Sequence, residues 1–443
     1  MTMQDQGSAL EEIFKEGVRA VDPEKAVQTY VRRQGNQLFV GNCSYELSRY
    51  KNIFLIGAGK GTAPMAKALE DILGSYLNNG WIIVKYGYGM PLKKTDVMEA
   101  GHPIPDKEGL KATKKLLGEL QRCTEEDLVI CAFSGGGSAL LPAPISPFTL
   151  DQKQECTHLL LECGATIDEI NAIRKHLSRS KGGQLAKEAY PATMISLLLS
   201  DVVGDRLDVI ASGPTAPDKS TYEDCIGVVE KYDLVDRLPE GVMKHFKKGI
   251  AGGVPETPKE GDPLFSKVQN VIVGNNRKSL LSAKERAISL GYNTIVLSSQ
   301  IEGEAREVAQ VFAAIGKEIL QANLPIPSPA CVIAGGETTV TIQGKGKGGR
   351  NQELALGCAI AIDGLEGISL LSAGTDGTDG PTDAAGAIVD GTTCKRARQT
   401  NLNPQDFLLA NNSYTFFDSL GDLLKTGPTR TNVMDIICMV VNT

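Results

Sequence analysis

The sequence predicts an α/β fold in two domains, and three observations carry that reading. Short apolar runs alternate with helical patterns along most of the chain, the signature of strands and helices in layers with largely parallel sheets. The 443 residues admit two or three domains at about 150 residues each. Between Pro239 and Lys267 prolines and glycines gather without a sustained period, as in an interdomain connection, which sharpens the count to two, residues 1–245 and 246–443.

The elements follow in order. Ser8-x-x-Glu11 reads as a capping box ahead of the amphipathic run Leu10, Ile13, Phe14 and Val18, so a first helix is expected to start at Ser8. Asp22-Pro23 opens a second, with an N-cap and a proline at the first helical position. Strands are expected at 52–56, 81–85, 128–133, 194–199, 271–273, 294–297, 331–334 and 368–372. A proline-spaced loop at 323–329 joins elements inside the C-terminal domain, and no repeat of constant period is visible.

Composition narrows the function. Forty-six Lys and Arg against 53 Asp and Glu give a net charge of −7 with no basic stretch, which argues against a nucleic-acid partner. The N-terminus lacks an apolar leader and no run is long enough to span a membrane, so a cytoplasmic protein with no membrane partner is expected. The ten cysteines are scattered singly and read as small buried hydrophobes in a reducing compartment. The unusual count is 48 glycines, and many fall where apolar runs end.

In open α/β sheets the carboxyl ends of strands are where ligands bind, and five segments there stand out. The first runs from a strand through Gly57, Gly59, Lys60 and Gly61 into a helix. It fits neither a Walker A loop nor a dinucleotide fingerprint, since Thr62 stands where the latter needs Gly or Ala. Backbone amides at a helix start with Lys60 beside them favour an anion, while a tight turn with a solvated lysine explains the same residues equally well. The second, Ser134-Gly135-Gly136-Gly137-Ser138, is more specific: three glycines can form a nest of N–H donors with hydroxyls at its rim. The third places Asp201 and Asp205 on either side of Gly204, able to hold Mg²⁺ or accept a proton, with an N-cap plus an Asp–Arg pair as the plain alternative. The fourth interleaves Lys345, Lys347 and Arg350 with four glycines, giving a flexible positive loop that ends in a helix opened by Arg350 and is suited to polyphosphate, or else a solvated basic hairpin. The fifth sets Asp376, Asp379 and Asp383 in a Gly/Thr frame that resembles a calcium loop only loosely.

Together these are the parts of a phosphoryl-transfer site. A Ser-His-Asp hydrolase is disfavoured by four scattered histidines and no G-x-S-x-G, and a zinc enzyme by the lack of paired His or Cys ligands.

The strings GHPIPD, FSGGGSALL, INAIRKHLSRSKGG, SDVVGDRLDVIASGP, GGETTV, GGRNQELAL, SAGTDGTDGPTDAAG and GPTRTNVMDI resemble, in this order and over nearly the whole chain, the class II glycerate kinases, whose C-terminal half is the MOFRL domain. The resemblance implies a Rossmann-like N-terminal domain with a parallel sheet, a C-terminal MOFRL domain, and an active site in the cleft between them. It also implies a kinase that uses ATP and Mg²⁺ or another divalent cation to phosphorylate D-glycerate, most often at the 2-hydroxyl. The family's lysine and arginine fall on Lys60 and Arg350. Beside them, Gly59, the five residues from Ser134 to Ser138, and Lys347 are expected to bind substrate or phosphate, and Asp201, Asp205 and Asp376 to hold the metal. His102 and His176 sit in matched strings without an assigned role, and Arg430 stands where the family pattern admits Gly. A homodimer, phosphorylation at the 3-hydroxyl, hydroxypyruvate reduction and anion sensing without chemistry remain alternatives; the missing dinucleotide fingerprint argues against the reductase.

Overall fold

The computed structural model describes residues 3–442. Two compact units emerge: residues 23–273, and residues 274–443 together with the first 22.

In the unit spanning 23–273, three short strands, β1 (Val31–Gln34), β2 (Gln37–Val40) and β3 (Cys43–Glu46), form a small antiparallel meander. The main sheet follows, with β4 (Asn52–Ala58), β5 (Asn79–Lys85), β6 (Thr95–Ala100), β7 (Asp127–Phe133), β8 (Thr193–Leu199) and β9 (Val268–Gly274) in the order β6-β5-β4-β7-β8-β9. From β6 to β8 every neighbour is parallel. β7 is buried at every position, as a strand covered on both faces must be, which is why it reads as a continuous apolar run rather than an alternating one.

The proline- and glycine-rich stretch expected to connect the domains lies inside this unit. Its helix Val242–Ile250 sends Val242 and Phe246 into the cluster around Ile173 and Val229, and Leu264 joins the core beneath the main sheet. The expected boundary at 245/246 falls within that helix, whereas the compact units divide at Asp22/Pro23 and Val273/Gly274.

The second unit is built on β10 (Asn293–Val296), β11 (Ala330–Gly336), β12 (Ile368–Gly374), β13 (Gly386–Asp390), β14 (Leu423–Leu424) and β15 (Asp435–Val441), in the order β10-β11-β15-β12-β13-β14. Only β10–β11 is parallel; the last strand, β15, inserts between β11 and β12 and runs antiparallel to both. Largely parallel sheets therefore describe the first unit and not this one. Along β15, Ile437, Met439 and Val441 face one core with the helices Ala305–Ala322 and Arg350–Ala361. Ile436, Cys438 and Val440 face another, formed with the helices Met3–Arg19 and Asn276–Ser289. Leu10, Ile13 and Phe14 are buried there, so the chain's first helix belongs to this sheet. That helix begins at Met3, so Ser8 and Glu11 lie within it and do not cap it, whereas the helix Pro23–Tyr30 does start on its proline. Seven of the ten cysteines are buried and all are free, with Cys43 exposed.

Candidate active site

β4 and β7 are parallel neighbours, so the turns that leave their carboxyl ends lie side by side. The turns interlock. The Lys60 amide donates to Gly135 O at 2.9 Å, and the Gly61 amide donates to Ser134 Oγ at 2.8 Å. Glycine is required by contact here: a Cβ on Gly59, at φ +143°, would stand 2.1 Å from Ser134 Oγ. Gly136 adopts φ +85°, and a Cβ there would meet the His102 ring at 2.8 Å and Lys60 Cγ at 3.6 Å. The second turn therefore brings Lys60 and His102 together around one glycine.

Ser134 and Ser138 part company. Ser134 is buried, its hydroxyl receiving the Gly61 amide and facing Thr62 Oγ1, so it ties the two turns together and does not stand at an open rim. Ser138, partly exposed, accepts from Arg174 Nη2 and from Lys181 Nζ at 3.0 Å, and sits 2.7 Å from Ser212 Oγ, which donates to Asn171 Oδ1. Ser212 is held in a left-handed run, with Ala211, Ser212 and Gly213 at φ +51°, +63° and +64°. Such geometry costs about 1–2 kcal/mol per non-glycine residue, and packing must enforce it.

Asp201 and Asp205 lie on the loop after β8, both partly exposed, with Asp205 at φ +54° behind Gly204. In the other unit Asp376 Oδ1 accepts the amide and hydroxyl of Thr378, at 3.0 and 2.9 Å. Among the described residues no group of three or more His, Cys, Asp or Glu is arranged to hold a metal ion. The fifth segment's aspartates also do separate jobs. Asp379 accepts the Asn351 and Gln352 amides at the start of the helix Arg350–Ala361, and burial pushes its carboxyl up to about 7 against the pull of those amides. Asp383 accepts from Tyr414 Oη.

Arg350 opens that helix, as expected. Its Nε and Nη2 donate to Asp435 Oδ2 and Oδ1 at 2.6 and 3.0 Å, and its Nη1 donates to Glu337 Oε1 at 2.8 Å. Burial alone would lower the guanidinium's pKa, but Asp435 and Glu337 outweigh it and raise it. Of five N–H groups three are engaged; one on Nη1 and one on Nη2 remain without a partner among the described residues.

The basic loop before Arg350 is anchored. A Cβ on Gly344 would stand 2.1 Å from Ala410 O, on Gly346 2.4 Å from Asn412, and on Gly348 2.3 Å from Ser413 Oγ, so these glycines permit close backbone packing in place of the expected flexibility. Lys347 is exposed and stacks its ammonium 4.1 Å from the centre of the Tyr414 ring.

Sequence reasoning missed the partners. Asp435 and Glu337 lie in quoted strings and carry Arg350, but nothing in their spacing announced it. Arg174 and Lys181 lie in the string from Ile170 to Gly183, while Lys153, on the amphipathic helix Leu150–Glu162, left no signal.

Comparison with known proteins accords with these strings. Residues 9–247 match a family described as a domain of unknown function, DUF4147, and residues 330–435 match the MOFRL family. The chain is 42% identical to the glycerate 2-kinase of Pyrococcus horikoshii, covering 96% of this chain and 95% of that protein. It is 43% identical to the D-glycerate 2-kinase of Thermotoga maritima, covering 96% of each. A crystal structure of the Thermotoga maritima glycerate kinase superposes with a TM-score of 0.86 at 41% identity, over 99% of this chain and all of that one. Likeness of this extent in sequence and in fold shows the family: the chain belongs to the MOFRL-containing family of glycerate kinases.

Proposed function

We propose that this kinase transfers the terminal phosphoryl group of ATP to the 2-hydroxyl of D-glycerate. The observation that carries the reading is the interlocked pair of glycine turns that brings Lys60 beside Gly136 and His102 at the carboxyl ends of β4 and β7. Lys60, Gly59 and the 134–138 turn would neutralise and orient the anionic groups of the substrates, work that phosphoryl transfer requires more than covalent chemistry. Arg350, fixed by Asp435 and Glu337, would turn its two remaining N–H groups to phosphoryl oxygens as a bidentate clamp, and Lys347 would add charge from the neighbouring loop.

A divalent cation would be held by one or two carboxylates together with nucleotide phosphates, the usual Mg²⁺ arrangement. Asp201, Asp205 and Asp376 offer hard oxygen donors of that kind. When bound, the cation would neutralise charge that develops on the phosphates.

Coupled ADP-release assays with D-glycerate test the reading. ATP- and Mg²⁺-dependent turnover is expected, with Lys60→Ala strongly impaired; absence of turnover, or Lys60→Ala equal to wild type, would sink it. Phosphorus NMR of the product separates the 2- from the 3-phosphate. Hydroxypyruvate reduction would show as NADH oxidation, which the missing dinucleotide fingerprint argues against.

A further inference from the structure

In the unit spanning 23–273 a cavity of about 660 Å³ has a floor lined by Ser138, Lys153, Arg174 and Lys181. Its walls are mostly apolar, among them Pro142, Leu150 and Ile170, with Gln154, Glu155, Thr157 and His158 on one side, and its mouth carries the exposed side chains of Ile104, Leu161 and Ile167.

The three cations at the floor have no counter-ion. Lys153 is buried at 7% exposure, and its ammonium nitrogen has no hydrogen-bond partner. Lys181, at 1% exposure, reaches only Ser138, through its carbonyl and its hydroxyl. Arg174 donates to the same hydroxyl. Among the described residues no carboxylate pairs with any of the three. The neighbouring cations are treated differently: Lys175, next along the helix Ile167–His176, meets Asp218 at 2.9 Å, and His176 meets Glu256 at 2.9 Å. Pairing is thus available in this part of the fold and withheld from the three groups that face the cavity.

Uncompensated buried charge is costly, and a fold that keeps three such groups around one cavity gains only when an anion enters. The cations feel one another in its absence: burial, with Arg174 nearby, pushes the Lys153 ammonium down to about 7, and the same two causes lower Lys181.

We propose that Arg174, Lys181 and Lys153, with Ser138, form a subsite for one small oxyanion, the carboxylate of the hydroxy acid that the enzyme phosphorylates. The proposal rests on the kinase reading above. The walls favour a carboxylate over a nucleotide: beyond the floor they offer no further lysine or arginine for a second and third phosphate, the one ring is that of the exposed His158, and the exposed Glu155 carboxylate repels additional negative charge. A single carboxylate uses the Arg174 fork and both ammonium groups, and the apolar walls keep water from weakening those contacts. Ser138 also links the subsite to the turn that surrounds Lys60.

The test uses the full chain and two variants, Lys153→Met and Arg174→Lys. Steady-state kinetics should show the KM for D-glycerate raised roughly 10- to 100-fold in each, the scale of a lost charge-assisted hydrogen bond, with the KM for ATP unchanged. A merely structural lysine would destabilise the fold when replaced, whereas removal of an unpaired buried ammonium should leave the melting temperature of Lys153→Met equal or higher. Calorimetry without nucleotide should give binding of D-glycerate to wild type, none of glycerol, and none of D-glycerate to Lys153→Met. An unchanged KM for D-glycerate in both variants, a raised KM for ATP, or inorganic phosphate binding in place of D-glycerate would overturn the subsite. If wild type binds D-glycerate at this floor but does not phosphorylate it, the kinase reading fails and the subsite stands.

Discussion

The guanidinium of Arg350 lies edge-on to the carboxylate of Asp435, Nε to Oδ2 at 2.6 Å and Nη2 to Oδ1 at 3.0 Å, which joins the first residue of a helix to the first residue of β15. Asp435 is 3% exposed, so its charge is tolerated only while Arg350 faces it. Arg350→Met should therefore strand a buried carboxylate and cost about 2–4 kcal/mol of stability. Asp435→Asn, which removes the charge and keeps the shape, should cost less while still freeing the guanidinium to rotate. Urea unfolding of the two variants checks the order; equal losses would contradict it.

Catalysis should respond to the same geometry. Arg350→Lys keeps a positive charge but cannot grip Asp435 and a phosphoryl group with one planar fork, so kcat should fall by ~10³ or more, the scale of arginine contributions in other phosphotransferases. The KM for D-glycerate should barely move, because the acid's carboxylate is assigned to the other unit. A rise in KM with kcat preserved would show that Arg350 acts in substrate binding instead.

Gly136→Ala tests the interlocked turns. The backbone there has φ +85°, and the added methyl would stand 2.8 Å from the His102 ring. Strain of about 1–2 kcal/mol from the left-handed conformation adds to that clash. Loss of stability by thermal denaturation is expected together with a rise in KM for at least one substrate, since Lys60 Cγ also flanks this position at 3.6 Å. Gly118→Ala, on a helix where a methyl meets nothing within 4 Å, is the control and should be neutral or stabilising.

What the sequence made legible follows from local physics. β7 was visible because a strand buried on both faces is an unbroken apolar run, and Arg350 at its helix start because a glycine stretch precedes an apolar period. β6 was not visible, since Thr95–Ala100 mixes polar and apolar residues on an edge strand. The stretch from Pro239 to Lys267 misled because proline and glycine mark turns wherever they occur, and only tertiary contacts such as that of Phe246 separate a packed loop from a linker. The partners of the site were illegible for the same reason: Asp435 lies 85 residues from Arg350 in sequence, and pairing at that separation is set by sheet topology.

Arg430 carries a testable local cost. It is exposed and sits at φ +62°, a conformation that penalises any residue with a Cβ. Arg430→Gly should raise stability by up to about 1 kcal/mol, the left-handed penalty less the extra chain entropy of glycine. Chemical denaturation measures this directly, and a destabilised variant would mean that the arginine side chain holds the closing loop.

The acid limb of stability should report on His176 and Glu256. Burial alone would raise the Glu256 carboxyl, but the His176 ring at 2.9 Å, the Tyr222 amide at 2.8 Å and Lys259 outweigh it and hold the group at about 2, below its ordinary 4.5. The unfolded chain then binds more protons than the folded one between those values, so stability rises with pH across that interval. The contribution is fully present above about pH 4.5 and is lost as pH falls through about 2. Glu256→Gln should therefore melt at a lower temperature than wild type at pH 6, with the gap closing as the pH is lowered toward 2. A gap of constant size across that range would show that the two side chains are held by packing and not by charge.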